Sequence, residues 1–445
     1  MHVPVYGGRF GVPEAERLLW RAGFGPRPGE AQRLARKGLH GAVKSLTRPK
    51  REHLQGPSPH DDDGHPLAPT DAYGHDQLWW LDKMVRTRRP LVERMTLVWH
   101  DWFATSNDGV GSSRLMIHQN NVLRRLALGS FEKLLLEVTR DPAMLLWLSG
   151  AESTKEAPNE NYGRELMELF TLGAGRGYGE RDVREQARAL TGFANDWDDD
   201  LGPVRFHYEG ERHDRGVKRI FGKRGRYDWR DSCRLCIHHH SHPSFFVRKL
   251  WSYFIPTPPG RRTERALERL YVSSGYQVRP VVEAILRHPS LYRGPRMTKP
   301  PVVFIAGMLR GLGRGIDTDA WVWLSDLAGQ QLFYPPDVSG WDDDRWLDTT
   351  SWRGRWLAAV WASKERLMDP DKDTLALEEP RAAVDRALAF WGNPQLSRNT
   401  RAALEQFAAR VRGGANHKWK QESYPLLCQN ALRMMIATSP DFHTC

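Results

Sequence analysis

PNENYGRELMELFTLGAGRGYGERDVREQARALTG, residues 158–192, is the most strongly patterned stretch of the chain. Tyr162, Leu166, Leu169 and Phe170 stand at i, i+4, i+7 and i+8, the spacing of one apolar helix face. Asn161, Arg164, Glu165 and Glu168 stand at i, i+3, i+4 and i+7 and make a second, polar stripe. Pro158 precedes the helix, and Asn159 or Asn161 can cap it. Gly173 sits where a C-terminal glycine cap belongs, and 177–179 turns the chain. A second helix follows, with Val183, Ala187 and Leu190 on its apolar face and Glu180 and Asp182 in its first turn, where the helix dipole favours acids. The stretch predicts a helical hairpin with one polar stripe.

Three readings of that stripe stay open. Two carboxylates three residues apart beside an arginine can bind a metal with ligands from other helices. They can act as acid and base if their surroundings push their pKa values apart. Or the stripe is a solvated face, with Arg164 and Glu168 as an i, i+4 pair.

Working outward, residues 13–49 predict two short helices, and 50–70, rich in Pro and Asp, an exposed loop. A helix is expected from about Asp71 to Arg88. Pro90 opens another, with Leu91, Met95, Val98, Trp99 and Trp102 on one stripe and His100 opposite, followed by Asp101. The next helix, from about Arg114 to Leu128, carries His118, Gln119, Asn120 and Asn121 in a row, and so long a polar run asks for partners. Residues 195–227 read as irregular or β-like, since Val204–Tyr208 alternates. There His213, Asp214 and Lys218 gather in a glycine-containing turn, a candidate functional loop or a plain surface turn. Helices resume from 229, a polar linker spans 369–379, and two closing helices end the chain. The fold class is mainly α: a multi-helical bundle with a small irregular or β insertion near 195–227. It divides into one large domain (1–368) and C-terminal helices (380–445) packing on it.

Several classes fall away. The glycines of 173–177 follow a helix, not a strand, so they make no phosphate-cradling motif. Four cysteines in 445 residues make no disulfide framework. Cys233 and Cys236 have zinc-like spacing near His238–His240 and His242. The same residues also fit a buried helical stripe with Trp229 and Ile237. No apolar run is long enough to span a bilayer, and the first residues lack signal-peptide features, so the chain as written reads as cytoplasmic. A net charge of +11 suits anionic partners, but the charge is dispersed and no nucleic-acid-binding motif is present.

Ordered blocks along the chain resemble one family. They are RLLWRAGFGPRPGE, ERMTLVWHDWFATS, MIHQNNVLRRLALGSFEKLLLEVTRDPAMLLWL, NENYGRELMELFTLG, ERDVREQARALTGF, HDRGVKRIFGKRG, HPSFFVRKLWSYF, KPPVVFIAGMLRGLG and QQLFYPPDVSGW. On these motifs, over roughly 13–360, the chain is identified as a member of the large, mostly bacterial family called domain of unknown function 1800. The resemblance implies a predominantly helical protein. Many relatives are exported, so either this one is cytoplasmic or its start is incomplete. Genes of the family commonly lie beside those of proteins resembling sulfatases and alkaline phosphatases, which points to a partner of that kind and to anion or polymer metabolism by association only. The family typically reads W-H-N-H-F where this chain has Trp99-His100-Asp101-Trp102-Phe103. A histidine pair acting as metal ligands would have lost one member here, with Asp101 a substitute.

Polar residues inside helical motifs ask for a use, because buried polar groups cost free energy unless paired. The expected site is an inter-helix polar cleft of an enzyme. Its catalytic candidates are Glu165, Glu168, His118, Arg164, His213 and Asp214. Asn159, Asn161, Lys218, Gln119 and Asn120 would bind an anionic small molecule or polymer. His100, Asp101, His118 and Glu165 would hold a divalent zinc, iron or manganese ion. Metal-assisted hydrolysis fits these residue types best, with metal-dependent oxidoreduction next. The enzyme reading requires His100, His118 and Glu165 to converge. The rival is a non-catalytic helical assembly partner of a neighbouring enzyme, whose polar motifs would be buried hydrogen-bond networks.

Overall fold

The computed structural model describes residues 2–445. Apolar side chains gather in two packed centres. One surrounds Trp99, Trp102, Phe131, Phe170 and Phe246. The other surrounds Trp80, Met84, Phe304, Trp321 and Phe333. Helix α1 (Val12–Arg21) feeds both, through Leu18 and Trp20. Helices α2 (His75–Arg86) and α3 (Pro90–Trp102) follow. Every residue of α3 except Asp101 is buried. A helix covered on all sides is normally apolar all round, yet α3 carries Glu93, Arg94, His100 and Asp101. Its neighbours are α2 and α4 (Ser113–Leu126), and its Trp99 and Trp102 rings meet Phe131 at the start of α5 (Phe131–Thr139).

The hairpin forms, with a local departure. Asn159 caps α6 (Glu160–Glu165), its Oδ1 accepting the Asn161 N–H at 2.9 Å. The helix then widens into a single π-helical turn, Leu166–Thr171, whose end is marked by Leu172 N–H donating to the Met167 carbonyl at 2.7 Å. The widening turns Met167 inward beside Tyr162, Leu166 and Phe170 and leaves Leu169 only partly buried, where an unbroken helix buries Leu169. α6 lies close on α7 (Glu180–Ala189): a Cβ at Gly163 would stand 3.0 Å from both Ala187 N and Val183 O.

Among the described residues the only sheets are two antiparallel pairs inside the expected insertion. β1 (Phe193–Asp198) pairs with β2 (Gly202–Tyr208), and β3 (Lys218–Ile220) with β4 (Lys223–Gly225). Helices α8 (Trp229–Ile237) and α9 (His242–Ser252) come next. On α8, Trp229, Cys233, Cys236 and Ile237 are all buried. Burial pushes the Cys233 thiol up to about 12, as an inert core cysteine requires.

Boundaries differ in three places. Residues 12–47 form three helices, not two, because the chain breaks at Gly38 with φ of 63°. The 71–88 helix starts only at His75, after Gly74 in the left-handed region. Three long closing helices, not two, follow 369–379: α11 (Pro380–Phe390), α12 (Arg398–Gly414) and α13 (Lys418–Ala437), with α10 (Pro301–Leu312) in the same centre. Val384, Leu388 and Leu432 pack in that centre with Phe304. No helix among the described residues is long and apolar enough to cross a membrane.

Candidate functional site

Arg94, Leu97, Val98 and Asp101 stand at i, i+3, i+4 and i+7 of α3 and line one cavity of about 180 Å³. The end of α9 adds Lys249, Ser252 and Tyr253, and the loop after Gly329 adds Gln330, Trp341 and Asp343.

Asp101 is fixed from two sides. Tyr253 donates its hydroxyl to Oδ2 at 2.6 Å, and the Trp341 backbone N–H donates to Oδ1 at 2.9 Å. Gly340 is required here: its φ is +100°, and a Cβ would lie 2.4 Å from Asp101 Oδ1. Burial raises the Asp101 pKa, against the Tyr253 and Trp341 bonds and the nearby Lys249 charge, which lower it. The same burial lowers Lys249 to about 8, with Asp101 opposing. An amine poised there exchanges its proton near neutral pH.

The hairpin positions this lysine. A helix end leaves carbonyls without backbone partners. After the π turn, three of them accept from side chains. Leu169 O takes Lys249 Nζ at 3.1 Å, Phe170 O takes Trp102 Nε1 at 3.0 Å, and Thr171 O contacts His242 Nδ1 at 2.8 Å. Trp102, which stands where the family usually has histidine, thus spends its only polar atom on a carbonyl. Its ring lies beneath the Lys249 ammonium, 4.7 Å from it.

Arg94 is the anomaly. It is 4% exposed, and its Nε and Nη1 have no protein partner. No carboxylate among the described residues pairs with it. Burial lowers its pKa to about 10, offset in part by charge at Cys445 and Asp101 and aggravated by Arg21. The guanidinium is therefore cationic at neutral pH, buried, and unpaired at the wall of a cavity.

The residues singled out from sequence are dispersed. His100 is sealed among the rings of Trp80, Phe333 and Trp341, and neither of its nitrogens has a partner. Burial lowers it to about 3, so it is neutral. His118 is exposed at the rim of a different cleft, with Arg125 and Glu137. Glu165 is half-buried, and burial with the neighbouring Glu168 raises its pKa. Arg164 does not pair with Glu168; it takes Glu180 in a two-pronged bond at 2.9 and 2.8 Å. His100, His118 and Glu165 therefore do not converge, and among the described residues no group of three or more His, Cys, Asp or Glu side chains can hold a metal ion. Of the residues expected to hold a zinc, iron or manganese ion, only Asp101 lines the Arg94 cavity.

Most of the remaining candidates are tied into the fold. Asn159 gives its amide to the Leu148 and Ser149 carbonyls, and Asn161 is exposed. Gln119 donates to Thr105 and Asp141, while Asn120 accepts from Arg124. His213 is held at Thr191. Burial opposes ionisation of Asp214, but its bonds from Arg188 and the Gly216 N–H prevail and lower its pKa. Lys218 spends its ammonium on the carbonyls of Asp214 and Gly216, so it has little left for a substrate anion. This loop is a latch onto α7.

Sequence reasoning missed Arg94, Lys249, Tyr253 and Gly340. One signal was available: Arg94 lies seven residues before Asp101, hence on the same face of an otherwise apolar helix. The contribution of α9 is a long-range contact that no periodicity encodes.

A family model described as protein of unknown function (DUF1800) matches residues 17–444, and the chain belongs to that family. The match extends through the closing helices, past the 13–360 carried by the motifs. No curated protein matches the chain, and no solved structure does.

Proposed function

We propose that this protein is an enzyme that moves a proton on a small anionic substrate in the Arg94–Asp101–Lys249 cavity. Arg94 binds a carboxylate or phosphate group of the substrate, since a guanidinium offers paired donors matched to such oxygens. Lys249, with its pKa near 8, takes or returns the proton. Asp101 keeps Lys249 in reach of its charged form and fixes the Tyr253 hydroxyl at the cavity wall. The 180 Å³ cavity is smaller than the ~300 Å³ of drug-sized pockets, which favours a compact molecule over a polymer. The carrying observation is the buried, unpaired Arg94. An ion in that state costs several kcal/mol, and a substrate anion is what would offset it.

This replaces metal-assisted hydrolysis as the leading chemistry, because the ligand candidates lie in separate surroundings. The test is solvent deuterium exchange, read by proton NMR, into a panel of small carboxylic and phosphorylated compounds. Wild type should exchange a C–H of at least one compound, Lys249→Met should lose that exchange, and Arg94→Gln should chiefly raise KM. Exchange that survives Lys249→Met would remove the assignment. Tight anion binding with no exchange in the panel would favour the non-catalytic assembly partner.

A further inference from the structure

A second cleft, of about 370 Å³, opens between α4, α5, β2 and the start of α8, away from Lys249 and independent of the reading above. Its walls are aromatic: Phe193, Phe206, Tyr208 and Trp229. Two buried polar atoms among its lining, Trp229 Nε1 and Asp141 Oδ2, lack protein partners. Trp229 is 4% exposed and its indole N–H donates to nothing. Asp141 is 3% exposed; its Oδ1 accepts from Gln119 Nε2 at 2.9 Å and from the Ala143 and Met144 N–H groups, while Oδ2 has no partner.

That asymmetry assigns the proton. Oδ1 is occupied by three donors, so when the acid is protonated the hydrogen sits on Oδ2. Burial raises Asp141 to about 7, against the bonds from Gln119, Met144 and Ala143, so both forms are populated at neutral pH. Oδ2 can therefore donate or accept, and the Trp229 indole on the same cleft is a free donor. A hydroxyl, which does both, is the complement of such a pair.

The rim carries charge. Arg125 is exposed and has no ion-pair partner among the described residues, and His118 stands beside it on α4. Arg230 lies over the Trp229 ring at 4.3 Å, with a long 3.4 Å contact to Asp228. Arg140 is already held by Glu137. The cleft thus joins an aromatic wall, a hydroxyl-matching floor and a cationic lip.

We infer that this cleft binds an acidic sugar unit: a hydroxylated ring stacked on the aromatic wall, hydroxyls on Asp141 and Trp229, and a carboxylate or phosphate at Arg125 and Arg230. Gln119, which looked from sequence like a substrate-binding residue, acts behind Asp141 as a positioning residue.

The test is saturation-transfer NMR and calorimetry on the full chain with glucuronate, glucose 6-phosphate, glucose and inorganic phosphate as probes. At least one acidic sugar should bind, with transfer to its ring protons, and glucose should bind about tenfold or more weakly, the loss of one charge-assisted contact. Trp229→Phe keeps the wall and removes the donor; Arg125→Gln removes the lip charge. Each should weaken binding several-fold; Arg125→Gln should leave the melting temperature unchanged, and Trp229→Phe, at a buried ring, should lower it. If Trp229→Phe fails to fold, Arg125→Gln at the exposed rim still decides. No binding of either acidic sugar at millimolar concentration would overturn the inference, as would affinity unchanged in both variants. So would inorganic phosphate binding as tightly as the sugars, which marks a simple anion site.

Discussion

Two helix faces in this protein share one spacing. Asn161, Arg164, Glu165 and Glu168 on the hairpin, and Arg94, Leu97, Val98 and Asp101 on α3, both stand at i, i+3, i+4 and i+7. The first is polar throughout and meets solvent, where its arginine finds an exposed partner in Glu180. The second is half apolar and buried, and its arginine finds none. A charged stripe announces itself in sequence because it can afford to be wet. The groups that carry free energy for chemistry are the isolated ones, set among apolar neighbours where burial shifts their pKa values.

Breaking the buried face should have the largest effect. Asp101→Leu leaves the Tyr253 hydroxyl and the Trp341 N–H without an acceptor and strands Lys249. Equilibrium unfolding in denaturant should show a loss of about 3–5 kcal/mol, the usual cost of splitting a buried charged network. A loss under 1 kcal/mol would mean that Asp101 is not the anchor described.

Removing the unpaired cation should act in the opposite direction. Arg94→Met keeps much of the volume and eliminates a buried charge, so the ligand-free protein should gain about 1–3 kcal/mol. Destabilisation instead would show that Arg94 is a structural group.

Lys249 sharpens the contrast through pH. Its folded pKa, about 8, lies below the ordinary lysine value, so the unfolded chain holds this proton more tightly. The penalty is fully present below pH 8 and is relieved as pH rises toward ~10.4, the unfolded value. Lys299 shifts the same way, so the quantity to follow is the stability of wild type relative to Lys249→Met. That difference should move in favour of wild type above pH 8. A flat difference would contradict the burial of the ammonium.

The hairpin stripe should respond least. Glu165→Gln and Glu168→Gln should each change stability by less than about 0.5 kcal/mol and leave deuterium exchange intact, as surface charges usually do. A collapse of exchange in either would return the site to the hairpin.

Much of the hairpin was legible in residues 158–192: two helices, a cap at one of the two asparagines and the Gly173 stop. What failed there was the register after Glu165. The carbonyls at the end of the π turn bond to Lys249, Trp102 and His242, which lie 68 or more residues away in sequence and leave no periodicity to read. The candidate site was legible only at Asp101, although Arg94 and Lys249 also stand inside the quoted motifs. Arg94 and Lys249 read as ordinary charges in apolar helices, because burial is a property of the packed chain. The His213–Lys218 turn shows the converse: a dense polar cluster is also what a loop needs to latch itself onto α7, as Asp214 does on Arg188.

The most direct measurement is calorimetric titration of ligand-free protein with small anions (phosphate, malonate and acetate), in wild type and in Arg94→Met. At least one of them should bind wild type, Arg94→Met should lose it, and Glu165→Gln should keep it. Equal binding by wild type and Arg94→Met, or none by wild type, would contradict the claim that the buried arginine awaits a substrate anion.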